Sequence, residues 1–156
     1  AFFGENYYLL TDALMSSKEA SRIMKEEKNN QRVFKMFDHV TISVSGIGSF
    51  YPTEESVLAS PDFMSTEDLE MLKQENVSGD IALRFFDHDG QECNTTLKER
   101  MISISMEQFK KIDRKISLVS GVSKANAVLS ALKGGLVDVL ILDSNLAEAL
   151  LKLTQE

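Results

Sequence analysis

The sequence predicts an α/β protein with a parallel pair of strands near its C-terminus. Stretches with the helical period of 3.6 residues alternate with short β-rich runs, which is typical of layered α/β folds. Residues 116–142 read as strand, helix, strand, and a crossover of this kind joins parallel strands. The 156 residues, of which 43% are hydrophobic and 26% are charged, can form one globular domain.

Charge and cysteine content exclude several classes of function. There are 24 acidic and 17 basic residues, a net charge of -7, and no cluster of Lys and Arg suited to DNA phosphates, so these residues alone are not expected to bind DNA. Cys93 is the only cysteine, which excludes an intrachain disulfide and favours a cytoplasmic location. No run approaches the ~20 apolar residues of a membrane span. The start at Ala1, without Met, predicts that the chain was cut from a longer one.

Two helices are predicted in the first half of the chain. Residues 16–28 form a strongly charged surface helix that begins at Ser16, with Glu19 as the partner in a capping box. Residues 65–75 form a shorter helix that begins at Ser65, with one apolar side.

Strands are predicted between and after these helices. The β-branched run 39–44 predicts a strand that leads into a glycine loop at residues 46–49. Residues 80–86 and 100–104 are predicted to pair as the strands of a hairpin or ribbon. The acidic residues and the histidine of the turn at 87–90 are ordinary turn formers, so we expect no metal site there.

The last third gives the clearest pattern. A buried strand at 116–119 is followed by a turn, a helix that ends at Gly134-Gly135, a second buried strand at 137–142 and a final helix at 146–153. Apolar residues at positions i, i+3, i+4 and i+7 predict the inner face of the first of these helices: Ala125, Val128, Leu129 and Leu132.

Three loops follow predicted strands, and ligands of open parallel sheets collect outside the carboxyl ends of strands. Gly46, Gly48 and Ser49 offer close backbone approach and a hydroxyl, although a tight turn explains two glycines equally well. Gly121, Ser123 and Lys124 could bind an anion through amides, a hydroxyl and an ammonium, or could be a plain helix cap with a solvated lysine. Residues 143–145 fit a helix cap better than a binding loop.

Asp80 stands at the start of an apolar run, where a carboxylate is costly unless it is paired or hydrogen-bonded to something such as a sugar hydroxyl. The alternative is an exposed carboxylate at the beginning of a strand. Sequence alone assigns no Ser, His, Asp triad. An enzyme would need an acid/base pair, and Asp80 and Asp87 are the only plausible carboxylates near a motif.

Four motifs together resemble the effector-binding domain of SorC-type bacterial transcription regulators. They are Gly46-Ile47-Gly48-Ser49, the segment 78–90 that begins Ser78-Gly79-Asp80-Ile81, Ser120-Gly121-Val122-Ser123-Lys124-Ala125, and the segment 131–143. Their order and spacing match that family over nearly the whole chain. The sequence departs from the family pattern at Ser120, where Gly is usual, and at Leu142, where Thr is usual.

The resemblance implies a fold and a set of site residues. The fold is a three-layer α/β sandwich with a mostly parallel sheet, like that of sugar-phosphate isomerases and glucosamine-phosphate deaminase. Lys124, with Ser123 and the Gly121 loop, would hold a ligand phosphate. Asp80 would accept hydrogen bonds from sugar hydroxyls, and the loop from Gly46 to Ser49 would close over the ligand.

The function implied is that of an effector-sensing domain that binds a sugar or phosphosugar without a cofactor and modulates DNA binding and oligomerisation. Residues 1–156 would be the C-terminal part of that domain, and its N-terminal part and the DNA-binding helix-turn-helix would lie outside this chain. Two alternatives stay open: an enzyme of the sugar-phosphate isomerase or deaminase type, and a module that serves oligomerisation only.

Overall fold

The computed structural model describes residues 4–155, which form a parallel and an antiparallel sheet with helices packed against them. No helix in this range is long and apolar enough to cross a membrane. The helices are α1 (Lys18–Glu26), α2 (Lys28–Met36), α3 (Thr66–Gln74), α4 (Leu97–Arg100), α5 (Met106–Lys110), α6 (Ala125–Lys133) and α7 (Ser144–Leu153). The strands are β1 (Ile42–Ser45), β2 (Ile47–Ser49), β3 (Gly79–Ile81), β4 (Arg84–Phe86), β5 (Arg114–Val119) and β6 (Val139–Leu142).

The parallel sheet has the order β1-β5-β6. Val44 of β1 lies beside Ile116 of β5, and Ile116 lies beside Val139 of β6. Helix α6 connects β5 to β6, as the strand, helix, strand pattern predicts, so the α/β class and the parallel pair are confirmed. Asp143 caps α7 through a hydrogen bond from the Leu146 amide, and Gly135 ends the α6 turn with φ of 67°.

The antiparallel sheet has the order β2-β3-β4. Its first strand, β2, follows β1 of the parallel sheet after a single residue. In its register Gly48 stands opposite Asp80, and Asp80 stands opposite Phe85. Ser65 caps α3 as predicted, because its hydroxyl accepts the Asp68 amide hydrogen.

Two hydrophobic clusters stabilise these layers. The first fills the space between the sheets, α5, α6 and α7, and its fully buried members include Phe86, Phe109, Val128, Leu136 and Leu146. The second lies under the long segment from residue 50 to 64 and includes Leu58, Leu72, Phe85, Leu97 and Met101. The antiparallel sheet joins the two clusters, because Phe85 and Phe86 point to opposite faces of β4.

The predicted helix over 16–28 is wrong in both its start and its end. Ser17, not Ser16, provides the cap, because the Ser17 hydroxyl accepts the Ala20 amide hydrogen. The chain turns extended at Glu27, with ψ of 135°, and a second helix follows. Buried Asn30 donates to the Met24 carbonyl, so its side chain satisfies an oxygen near the end of α1.

The predicted glycine loop at 46–49 is also wrong, because residues 47–49 form strand β2. The predicted strand over 80–86 is instead a tight hairpin of β3 and β4, with Ala82 and Leu83 at positive φ. Residues 100–104 do not pair with it as a strand. The contact between β4 and this part of the chain is made by a side chain instead. The Arg84 guanidinium donates hydrogen bonds to the carbonyls of residues 98, 103 and 104.

The late strand and its preceding helix are less buried than predicted. Leu132 is exposed, and the buried face of α6 is formed by Ala125, Val128 and Ala131 together with Ala127 and Ser130. Strand β6 alternates between exposed and half-buried residues. The reason is that the helices of the described residues cover only one face of the parallel sheet.

Candidate functional site

A cavity of about 410 Å³ lies at the carboxyl end of β1. Its walls come from the end of β1, from β2 and β3, from the 50–64 segment and from the start of α6. This is the end of a parallel strand where open α/β sheets bind ligands. The lining residues are polar or small at Ser45, Gly46, Gly48, Glu55, Ser56, Asp80 and Lys124, and apolar at Ala13, Ile47, Val57, Leu58, Phe63, Ala82 and Leu83.

The Asp80 carboxylate is the most unusual group in this cavity. Strand β3 places it in the interior, where the residue is only 8% exposed. Its Oδ1 accepts a hydrogen bond of 2.5 Å from the Ser56 hydroxyl. Burial raises the pKa of Asp80 to about 6, although the Ser56 hydrogen bond and the charge of Lys124 both act to lower it. The pKa of Asp80 therefore lies well above the usual range of a carboxyl group.

Gly48 creates the space that the carboxylate occupies. A Cβ atom at position 48 would lie 2.0 Å from Asp80 Oδ1 and 2.6 Å from Ser56 Oγ. No side chain fits there while Asp80 keeps its place. At Gly46, by contrast, a Cβ would meet nothing closer than 3.8 Å. The two glycines of the motif therefore differ: position 48 is sterically constrained and position 46 is open.

Lys124 faces Asp80 across the same cavity, at the end of the short 3₁₀ turn that precedes α6. Within residues 4–155 its ammonium forms no ion pair. Glu55 also lines the cavity, and its carboxylate accepts a hydrogen bond of 2.5 Å from the Ser123 hydroxyl. With Asp80 ionised, these three side chains carry two negative charges and one positive charge.

Two donors of the anion seat predicted at the start of α6 bind carboxylates of the protein in this structure. The Gly121 amide donates to Asp143 Oδ2 at 2.9 Å, and the Ser123 hydroxyl donates to Glu55. Hydrogen bonds from the Leu146 amide, the Gly121 amide and the Ser120 hydroxyl lower the pKa of Asp143 to about 2. Carboxylates of the protein therefore already occupy two of the donors that a phosphate would need.

The structure brings together four of the seven predicted ligand-binding residues: Gly46, Gly48, Asp80 and Lys124 line one cavity. Ser49 does not line it, because its buried hydroxyl donates to the Tyr51 carbonyl. Gly121 and Ser123 lie beside the cavity and bind protein carboxylates. Sequence reasoning missed Glu55 and Ser56, which lie in a segment without helical or strand periodicity.

The acid/base pair considered for an enzyme is not assembled. Asp87 forms the turn after β4, where its Oδ1 accepts the amide hydrogens of Asp89 and Gln91. It does not line the cavity of Asp80. In the part of the chain that the structure describes, no three His, Cys, Asp or Glu residues are grouped to hold a metal ion.

A parallel sheet with a cavity at the carboxyl end of a strand, lined by apolar residues and a few polar groups, is typical of an α/β ligand-binding domain. The sequence matches the family described as "Putative sugar-binding domain" over residues 1–152, and the chain belongs to that family. The observed fold, the cavity and the family thus agree on the class of protein.

Known relatives are transcription regulators. The chain is 27% identical over 143 residues to the deoxyribonucleoside regulator of Bacillus subtilis (strain 168), covering 92% of this chain and 45% of the relative. It is 26% identical over 140 residues to the sorbitol operon regulator of Klebsiella pneumoniae, covering 90% and 44%. A crystal structure described as "Putative Sugar-Binding Domain of Transcriptional Repressor from Vibrio fischeri" superposes with a TM-score of 0.82 at 25% identity, covering 95% of this chain and 58% of that one.

These comparisons confirm the resemblance to SorC-type transcription regulators. The chain spans about 45% of the length of the curated relatives it matches. What the whole protein binds and controls is therefore a separate question from the family of this domain.

Proposed function

We propose that the cavity at the carboxyl end of β1 binds the hydroxyl groups of a sugar effector, with Asp80 as the principal acceptor. The observation that carries this proposal is a buried carboxylate placed against a glycine, with a free ammonium facing it. An ionised carboxylate accepts several hydrogen bonds, and neighbouring sugar hydroxyls can donate two of them. Lys124 supplies donors to other hydroxyl oxygens.

The balance of charge supports hydroxyl recognition over phosphate recognition. Glu55 and Asp80 oppose Lys124, and the Gly121 amide and Ser123 hydroxyl are engaged. A phosphate dianion would meet two carboxylates and only one cation. This differs from the role that the resemblance implied for Lys124. If the effector is phosphorylated, groups outside these residues bind its phosphate.

The domain then acts as a sensor without a cofactor and without turnover. These residues carry a net charge of -7 and are not suited to DNA phosphates, so DNA is contacted by a separate helix-turn-helix, as the resemblance to SorC-type regulators implies. Sugar binding shifts the population of a homo-oligomer between arrangements that differ in DNA affinity, by a coupling energy of ~1–3 kcal/mol. We place the protein in the cytoplasm, where such a regulator meets both sugar and DNA.

Calorimetric titration and thermal melting of the full-length protein test this proposal. The panel contains deoxyribose and sorbitol, which are related to the compounds in the relatives' names, and ribose 5-phosphate and glucosamine 6-phosphate, which are substrates of the enzyme alternative. A true effector at about 100 times its Kd raises the melting temperature by roughly 5–10 °C. Asp80→Asn lowers its affinity by roughly 10- to 100-fold, the cost of hydrogen bonds to a charged acceptor.

Asp113→Asn is the matched control, because Asp113 is exposed and does not line the cavity. Equal affinities of the Asp80→Asn variant and the parent protein contradict the proposal, as does a panel in which no sugar binds. Isomerisation of ribose 5-phosphate or deamination of glucosamine 6-phosphate at the rate of an enzyme contradicts the sensor role.

A further inference from the structure

Ser56 is the partner of the buried carboxylate in the cavity. Among residues 4–155, its hydroxyl is the only group that donates a hydrogen bond to Asp80. Ser56 is 8% exposed, and its Oγ also accepts the amide hydrogen of Leu58 at 3.1 Å. A serine hydroxyl has a single hydrogen to donate. While that hydrogen is donated to Asp80 Oδ1, Ser56 has none left for a sugar.

The chain around Ser56 is held in place independently of Asp80. The amides of Glu55 and Ser56 both donate to the Ser49 carbonyl, at 2.8 and 3.0 Å, and this ties the segment to strand β2. Leu58 is 5% exposed and belongs to the second hydrophobic cluster. The Ser56 hydroxyl therefore has a fixed place from which to orient another side chain, which is what precise support of a binding group requires.

The two oxygens of the Asp80 carboxylate have different surroundings. Oδ1 accepts the Ser56 hydrogen bond and lies against Gly48. Oδ2 accepts no hydrogen bond from the described residues and is not one of their enclosed, unpartnered polar atoms, so it is reached from the cavity that Asp80 lines. A carboxylate oxygen can accept about two hydrogen bonds. Oδ2 is therefore the oxygen that sugar hydroxyls would meet.

We propose that Ser56 is the positioning residue of this site: its hydroxyl holds the Asp80 carboxylate so that Oδ2 faces the sugar, and Ser56 itself does not contact the sugar. This inference rests on the proposed function. The hydrogen bond also favours the charged form of the carboxyl group, so it lowers the pKa of Asp80 against the effect of burial. Lys124 acts in the same direction, and Glu55 is the other charged side chain that lines the cavity.

Calorimetric titration of the full-length Ser56→Ala protein between pH 5.5 and pH 8 tests this role. The probes are deoxyribose, sorbitol, ribose 5-phosphate and glucosamine 6-phosphate. We expect a probe that binds the parent protein to bind Ser56→Ala roughly 5-fold more weakly at pH 8 and roughly 20-fold more weakly at pH 5.5. The deficit grows toward low pH because Asp80 takes up a proton more readily without Ser56. The ratio of the two affinities cancels the titration of the probe's phosphate group.

Ser60→Ala is the matched control. The Ser60 hydroxyl accepts the amide hydrogen of Asp62, two residues along the chain, just as Ser56 accepts that of Leu58. Ser60 lies in the same segment but does not line the cavity, so its variant should bind the probes as the parent protein does at every pH. Ser56→Cys keeps a side chain of similar size with a weak donor and repeats the test should Ser56→Ala lower the melting temperature more than Ser60→Ala does.

Equal affinities of the Ser56→Ala and Ser60→Ala proteins overturn the proposal. A deficit of the same size at every pH also overturns it, because lost packing alone would give that result. If Asp80→Asn weakens binding while Ser56→Ala does not, only the role of Ser56 fails. If Asp80→Asn has no effect, or if no probe binds the parent protein, the proposed function fails and the role of Ser56 fails with it.

Discussion

The Asp80 carboxylate lies 2.5 Å from the Ser56 hydroxyl in a cavity that excludes most water from it. The sequence identified this residue because a carboxylate at the start of an apolar run needs a partner. It could not identify Ser56 or Glu55. These residues belong to a segment held by contacts with distant strands, such as the amide hydrogen bonds from residues 55 and 56 to the Ser49 carbonyl. Such contacts leave no periodic pattern in the sequence.

The raised pKa of Asp80 predicts how stability depends on pH. The folded carboxyl titrates near pH 6 and the unfolded one near 3.8, so the folded protein binds more protons between these values. The free energy of unfolding therefore falls as pH rises through this window, by roughly 3 kcal/mol for this group. Asp80→Asn removes the titrating carboxyl group, so the free energy of unfolding of this variant does not fall by this amount.

Denaturant unfolding of both proteins from pH 4 to pH 7.5 measures the effect. We expect Asp80→Asn to be more stable than the parent by about 1–3 kcal/mol at pH 7.5, with the advantage vanishing toward pH 4. Taking the difference between the two proteins cancels the titration of all other groups. A difference that does not change with pH would show that Asp80 is not the buried titrating group described above.

The close pairing of β2 with β3 builds the site at the level of elements. Two glycines after a strand predicted a loop, whereas the chain forms a strand there and uses Gly48 to admit the carboxylate of the neighbouring strand. The β3–β4 hairpin was missed for a related reason. Its turn uses Ala82 and Leu83 at positive φ, where a turn of this kind usually has Asn or Gly. Local composition therefore indicated one longer strand.

Gly48→Ala tests the strand pairing. The added methyl group collides with Asp80 Oδ1, so either the carboxylate or strand β2 has to move. We expect a loss of stability of about 1–3 kcal/mol, as for other overpacked sites, together with loss of sugar binding. Gly46→Ala is the matched control and should change stability by less than about 1 kcal/mol. Chemical denaturation and calorimetry measure both effects, and equal results for the two variants would argue against the constraint at Gly48.

At the scale of the whole molecule, the parallel sheet was predictable because β5, α6 and β6 follow one another with clear periodicity. The exposure of one face of this sheet was not predictable from the sequence. Apolar runs such as those in β1 and β6 predict burial, but a sequence pattern does not specify which segment provides the cover. The helices of the described residues bury one face of this sheet only. The cavity of Asp80 lies at the carboxyl end of β1, where open α/β sheets bind ligands, and this links the fold to the proposed function.

Amide chemical shifts of the isotopically labelled full-length protein, titrated with the tightest-binding sugar of the panel, test the central claim most directly. We expect the largest changes at Gly46, Gly48 and Asp80, with smaller ones along residues 55–58. The groove between α6 and α7, lined by Asn126 and Asn145, serves as the internal reference and should not respond. Changes that centre on that groove, with Gly48 and Asp80 unaffected, would contradict sugar binding beside Asp80.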